Sequence, residues 1–198
     1  MSPVDDTFLS GALDGTGVMH VAGRPTAAFD PEGLVFAAGI NSEYLNLYDL
    51  RSFDKGPFAT FKLPASEAPG TEWTSLKFSP DGRSILICTN GNFLRLVDSF
   101  NGAHLHSFKV SNNVEKQTLD ACFTPTSQYL ISTSPDSMLH VFSVEMGAPM
   151  AQLATYEAAS KMVGPQARIN CVAFNPRFAM IATGSMQTCF WLPNIEKE

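Results

Sequence analysis

The side chains with most chemistry to offer are four histidines, four cysteines and acidic residues at recurring places. His20, His104, His106 and His140 lie in strand-like stretches with no serine, cysteine or carboxylate motif beside them. A general base needs a reacting group and an orienting partner within reach, so none of the four reads as catalytic. Cys88, Cys122, Cys171 and Cys189 form no Cys-x-x-Cys pair, and all sit in apolar runs. Zinc ligands come at fixed short spacings, so these read instead as reduced thiols in a core, in a reducing, intracellular compartment. No metal, cofactor or catalytic residue is expected, and neither common Gly-rich phosphate loop occurs. Asp49 and Asp98 share one strand-end position, which suits a turn role better than a paired-carboxylate site. What is left is recognition by surface residues, and that depends on what holds them.

The elements repeat. Phe29-Asp30-Pro31, Phe78-Ser79-Pro80, Phe123-Thr124-Pro125 and Phe174-Asn175-Pro176 each precede an apolar strand pattern by sixteen residues, at Leu45, Leu94, Leu139 and Phe190. The anchors at 29, 78, 123 and 174 are 49, 45 and 51 residues apart, the length of a four-stranded propeller blade. Each unit parses as strands d, a, b and c. In the second unit these are 58–63, Trp73 to Phe78, Ser84 to Cys88 and Phe93 to Asp98. Ile85-Leu86-Ile87-Cys88 is apolar on both faces, as expected of a strand packed between neighbours on either side. Pro31 to Gly33 and Pro80 to Gly82 read as tight a–b turns, because proline pre-sets one dihedral and glycine supplies a positive one. Asn41-Ser42-Glu43, Asn90-Gly91-Asn92, Pro135-Asp136-Ser137 and Ser185-Met186-Gln187 read as b–c hairpin turns, with Asn-Gly the strongest signal. Ala151 to Val163 could hold a helical turn inside a d–a loop.

The chain begins inside a repeat. Met1 lies 28 residues before Phe29, and Gly15-Thr16-Gly17 stands where a c strand belongs. The reading is a broken partial repeat at 1–17 followed by four blades, 18–55, 56–102, 103–147 and 148–198. Of 198 residues, 44% are hydrophobic and 16% charged, which describes a globular chain. A net charge of −6 argues against direct nucleic-acid attachment. No stretch is long and apolar enough to span a bilayer, and Met1 to Asp6 is too acidic for a signal peptide, so no membrane role is expected.

These features resemble a WD-repeat protein, with Tyr48-Asp49 and Val97-Asp98 at the Trp-Asp position. The stretches Phe29 to Gly33, Asp49 to Phe58 and Phe190 to Pro193 resemble the WD-repeat protein 82 family. That resemblance implies a non-enzymatic β-propeller scaffold, a chromatin regulator subunit of COMPASS-type histone H3 lysine methyltransferase complexes in the nucleus. It also implies roles in a protein phosphatase complex and in transcription termination, and contact with the serine-phosphorylated tail of RNA polymerase II. The family ring has seven blades, whereas this chain carries four. The expected fold is therefore an incomplete all-β propeller: an open arc with apolar faces bare on the first and last blades. The generic Gly-His and Trp-Asp pairs are largely missing, which implies blades held mainly by apolar packing. A truncated or splice-variant propeller fragment without independent function is the alternative.

In WD propellers the d–a and b–c loops share one face, which commonly takes peptides. Here it would carry Arg24, Lys116, Lys161 and Arg168, cations suited to a phosphopeptide. The opposite c–d face holds Arg51, Phe53, Asp54 and Lys55. Phe53 there is either a docking knob flanked by charges or a side chain packed beneath its own blade.

Overall fold

Short apolar runs punctuated every few residues by proline, glycine and asparagine leave no room for a helix of useful length. The computed structural model describes Pro3 and residues 26–64, 70–154 and 168–193, and these described residues are all-β apart from one 3-10 turn at Phe53–Lys55. The first sheet comprises β1 (Thr26–Phe29), β2 (Val35–Ile40), β3 (Tyr44–Asp49) and β4 (Ala59–Lys62). The second comprises β5 (Trp73–Phe78), β6 (Ser84–Thr89), β7 (Phe93–Asp98) and β8 (His104–Lys109). The third comprises β9 (Ala121–Phe123), β10 (Tyr129–Thr133), β11 (Met138–Ser143) and β12 (Pro149–Ala154). The fourth shows β13 (Cys171–Phe174), β14 (Ile181–Gly184) and β15 (Thr188–Trp191). Each sheet is an antiparallel meander, and none closes on itself.

The sheets are cut one strand later than the sequence units. β4 opens the second unit yet pairs with β3, setting Leu45 opposite Phe61; β8 pairs with β7 and β12 with β11 in the same way. A short c–d connection returns the chain beside the strand it has just left, so sequential strands pair. β12 also takes Ala151 to Ala154, the first residues of the stretch that could hold a helical turn; 155–167 lie outside the described residues. So do 1–2 and 4–25, which hold most of the broken repeat.

The polar residue of each anchor triplet closes its a–b turn. Asp30 Oδ1 accepts the N–H groups of Leu34 and Val35, both at 2.8 Å. Ser79 Oγ accepts from Ser84 N, Thr124 Oγ1 from Tyr129 N, and Asn175 Oδ1 from Arg177 N and Phe178 N. Gly33 and Gly82 take the expected positive φ, and Ser127 holds the same place at φ 59° without being glycine. Among the b–c turns, Asn41 and Ser42 are both left-handed, the signature of a primed hairpin turn. Gly91 is not left-handed; a Cβ there would meet Thr71 Cγ2 at 2.9 Å, so this glycine answers to space rather than to dihedral freedom.

Three apolar interfaces join the sheets in chain order. Leu45, Leu47 and Ala37 meet Ile85, Ile87 and Val97 between the first and second. Leu86, Cys88, Leu94 and Phe108 meet Phe123, Leu130 and Phe142 between the second and third. Ile131 and Leu139 meet Val172 and Ile181 between the third and fourth. β6 is buried at every residue, as its two-faced pattern required. Truncating its leucine, Leu86, to alanine would cost about 2–5 kcal/mol. The far face of the fourth sheet is bare, with Cys171, Ala173 and Thr188 exposed and Phe190 66% exposed. The far face of the first sheet is not, contrary to expectation. Phe36, Ala38 and Tyr48 form a buried cluster there with Phe29 and Leu50 packed against it. The Phe36 and Tyr48 rings stack at 4.8 Å, with Phe29 edge-on to Phe36.

Candidate functional site

At one end of the stack, the loops joining successive sheets lie against the b–c turns. Asn113, buried in the loop between β8 and β9, organises this face. Its amide nitrogen donates to the carbonyls of Asn90, Gly91 and Gln117, and its oxygen accepts from Gln117 N. Its own N–H donates to Asn92 Oδ1, while Glu72 N donates to Asn90 Oδ1. Ser111 and Ser134 share a hydroxyl bond at 2.8 Å. A buried amide satisfied on both sides fixes a loop far more narrowly than apolar contact does.

That loop presents Glu115, Lys116 and Gln117. Lys116 sits at φ 50°, and its Nζ donates to Gly70 O at 3.2 Å in the preceding sheet-to-sheet loop. The Glu115 carboxylate takes Arg168 Nη2 at 2.5 Å. Gln117, with its amide turned so that oxygen faces the guanidinium, accepts from Arg168 Nη1 at 2.9 Å and Nε at 3.2 Å. The Arg168 side chain is 22% exposed and that of Glu115 62%. Of the four cations expected on this face, Lys116 and Arg168 thus flank one carboxylate-bearing loop; Arg24 and Lys161 lie outside the described residues.

Deeper between the sheets, Asp120 binds three of them at once. Its Oδ1 receives Lys77 Nζ of β5 at 2.6 Å, its Oδ2 receives Val172 N of β13 at 3.0 Å, and its N–H donates to Thr133 Oγ1 of β10. Burial alone would lower the Lys77 pKa; the Asp120 carboxylate more than offsets this and leaves it raised. Further ties run from Trp73 N to Ser42 Oγ and from Asp81 N to Ser127 Oγ. The expectation of blades held mainly by apolar packing therefore misses a set of directional bonds.

At the opposite end, Asp49 accepts both the backbone and the side chain of Arg51; the bound guanidinium holds its carboxyl down at about 2. Asp98 accepts from Phe100 N and Asn101 N. Both aspartates close turns. Phe53 opens the 3-10 turn and is 44% exposed, with Lys55 exposed beside it, so Phe53 does not fill a core beneath its blade.

The histidines are better partnered than their sequence context indicates. His140 lies 2.9 Å from Asp136 Oδ2 and stacks on Phe142, and His104 meets Ser107 Oγ. Burial alone would raise the Asp136 pKa; the bonds from His140 and from the Met138 N–H more than offset this and leave it lowered. Cys88 is buried and Cys122 half-buried, and burial pushes their thiols up to about 11 and about 12. Cys171 is exposed and Cys189 half-buried, so the core reading fails for the fourth sheet, whose outer side is uncovered. Among the described residues, no three His, Cys, Asp or Glu could share a metal ion. No helix among them is long and apolar enough to cross a membrane.

Serial four-stranded meanders with turn-closing residues at a fixed offset define a WD-repeat propeller fold. The β-propeller domain of Cps50 (Swd1) from Myceliophteria thermophila superposes with a TM-score of 0.64 over 85% of this chain and 53% of that one, at 16% identity. The WD domain, G-beta repeat family model matches residues 156–190. WD repeat-containing protein 82 of Drosophila melanogaster is 46% identical over all of this chain and 63% of its own length. COMPASS component SWD2 of Saccharomyces cerevisiae is 28% identical over 97% of this chain and 63% of its own. The chain belongs to the WD-repeat protein 82 family. It spans less than two thirds of the length of these two relatives.

Proposed function

We propose that this chain is a non-enzymatic scaffold in a nuclear histone H3 lysine methyltransferase complex, and that its loop face engages the phosphorylated tail of RNA polymerase II. The observation that carries the scaffold reading is similarity along the whole chain to a family in which one relative is named as a COMPASS component. Association with a protein phosphatase complex belongs to the same reading. The phosphate reading rests on Lys116 and Arg168, held on one pre-organised face, together with Arg24 and Lys161 from the same loop class. Arg51, Phe53 and Lys55 supply a second contact at the opposite end, where an exposed aromatic between cations suits a protein partner.

Two experiments test this. Tagged full chain recovered from nuclear extract should bring down methyltransferase subunits; recovery of none, with a longer relative succeeding alongside, would refute the scaffold reading. Charge reversal of Lys116, Lys161 and Arg168 together should weaken a phosphoserine peptide more than its unphosphorylated twin. Equal loss for both would leave only general electrostatic attraction.

A further inference from the structure

The Arg168 guanidinium is already occupied. Arginine has five N–H donors in a rigid fork. Gln117 takes Nε and Nη1 through one oxygen, and Glu115 takes Nη2 through a carboxylate, the group a phosphate most resembles. The two acceptors are held very differently. The main chain of Gln117 is gripped at both its N–H and its carbonyl by the buried Asn113. Glu115 is mostly exposed, and its carboxylate reaches Arg168 from the solvent side. One acceptor is therefore part of the fixed site, and the other can swing into water.

We infer that Glu115 is an internal competitor at the anion site: an incoming phosphate monoester displaces its carboxylate from Arg168 while Gln117 stays in place. The inference rests on the phosphate reading of this face proposed above. Exchange of one singly charged carboxylate for another gains little. A phosphate carries about −1.5 to −2 charge and three strong acceptor oxygens, so it can exceed what it replaces. An exposed ion pair contributes about 0–1 kcal/mol, so displacing Glu115 costs little. The arrangement thus sets a threshold: carboxylate-rich segments, Glu115 among them, compete on equal terms, and a dianion does better.

The test is Glu115→Gln, which keeps size and removes charge at an exposed position. Binding of a synthetic phosphoserine peptide and of its unphosphorylated twin is measured by fluorescence anisotropy on the full chain, for wild type, E115Q, R168Q and the double variant. E115Q should bind the phosphopeptide about two- to five-fold more tightly, with the unphosphorylated twin changed less than about two-fold. The gain should vanish when R168Q is added, because no fork remains to be released. A wild-type preference for the phosphopeptide that E115Q leaves unchanged or weakens would overturn the competitor role and leave the phosphate reading standing. Equal binding of both peptides by all four proteins would overturn the phosphate reading itself, and the inference with it. An E115Q gain that persists in the double variant would also overturn it, since the effect would then be general charge rather than release of Arg168.

Discussion

Asp120→Ala should loosen the joint between the second, third and fourth sheets. The substitution strips two partners at once: the Val172 N–H loses its acceptor, and Lys77 loses its counter-ion. A bond to a charged acceptor contributes about 1.5–3 kcal/mol. Breaking a fully buried ion pair costs about 3–5 kcal/mol. Here the side chains are 33% and 20% exposed, which moves that figure toward the near-zero value of surface pairs. The expected total is about 2–4 kcal/mol, a fall in Tm of roughly 4–16 °C for a chain of this size. Lys77→Met should cost less, because Asp120 keeps the Val172 N–H. Urea titrations of K77M, D120N and the double variant then give the coupling, with unchanged slopes as the check on cooperativity. Additivity within about 0.5 kcal/mol would refute the pairing. The pH dependence has a definite sign. The folded Lys77 pKa is raised above its ordinary 10.5, so its contribution is complete below 10.5 and is lost as pH rises through the folded value. As pH rises from neutral, the stability gap between wild type and K77M should therefore narrow only above about pH 10.5; a gap that closes at neutral pH would contradict the assignment.

Alkylation followed by mass spectrometry should label Cys171 first and Cys88 and Cys122 last, since burial raises those two thiols to about 11 and about 12. Equal rates for all four would contradict the packing. Ser127→Ala keeps a left-handed backbone and loses the bond from Asp81 N, so it should cost about 1–2 kcal/mol. Ser127→Gly relieves the strain as it loses the bond and should lie nearer wild type in thermal unfolding, an order that fails if Ser127 is not left-handed. Phe53→Ala should reduce capture of complex subunits from extract while leaving Tm within about 2–3 °C; a large loss of stability with unchanged capture would make Phe53 structural.

Local pattern carried most of the fold. The anchor triplets, the two-faced apolar run of β6 and the Pro-x-Gly turns depend on residues within one hairpin, so the strand positions of the second unit agree with β4 to β7 to within a residue or so. The polar residue of each triplet was legible in principle: Asp30, Ser79, Thr124 and Asn175 share a short side chain with an oxygen, which is what closing the turn requires. Asn90-Gly91-Asn92 is the hairpin turn its sequence signals, although Gly91 is there for space beside Thr71 rather than for a positive φ. Inter-sheet bonds were beyond the sequence. Ser42 to Trp73, Asp81 to Ser127 and Asp120 to Val172 depend on how sheets are rotated against one another, which no periodicity records. The candidate site has the same character. Its cations could be assigned to loops, but not the Glu115 and Gln117 acceptors that saturate one of them.

The division of labour between apolar and polar contacts bears on recognition directly. Hydrophobic burial is non-directional, so the clusters between sheets set how strongly they adhere but only loosely how they are rotated. Rotation is fixed at the edges, where Ser42, Ser127 and Asp120 each join one sheet's side chain to an adjacent sheet's backbone. The Ser42 and Asp120 bonds lie toward the loop-face end of the strands, where Asn113 also ties three loop carbonyls to one amide. A ligand meeting Lys116 and Arg168 therefore encounters groups whose separation is set by hydrogen bonds, and it spends little of its binding energy on ordering them. Where such bonds are lacking, exposed charge alone would attract anions without discriminating among them. On the proposed phosphate reading, selectivity on this face is a property of Asn113 and Gln117 as much as of the cations beside them.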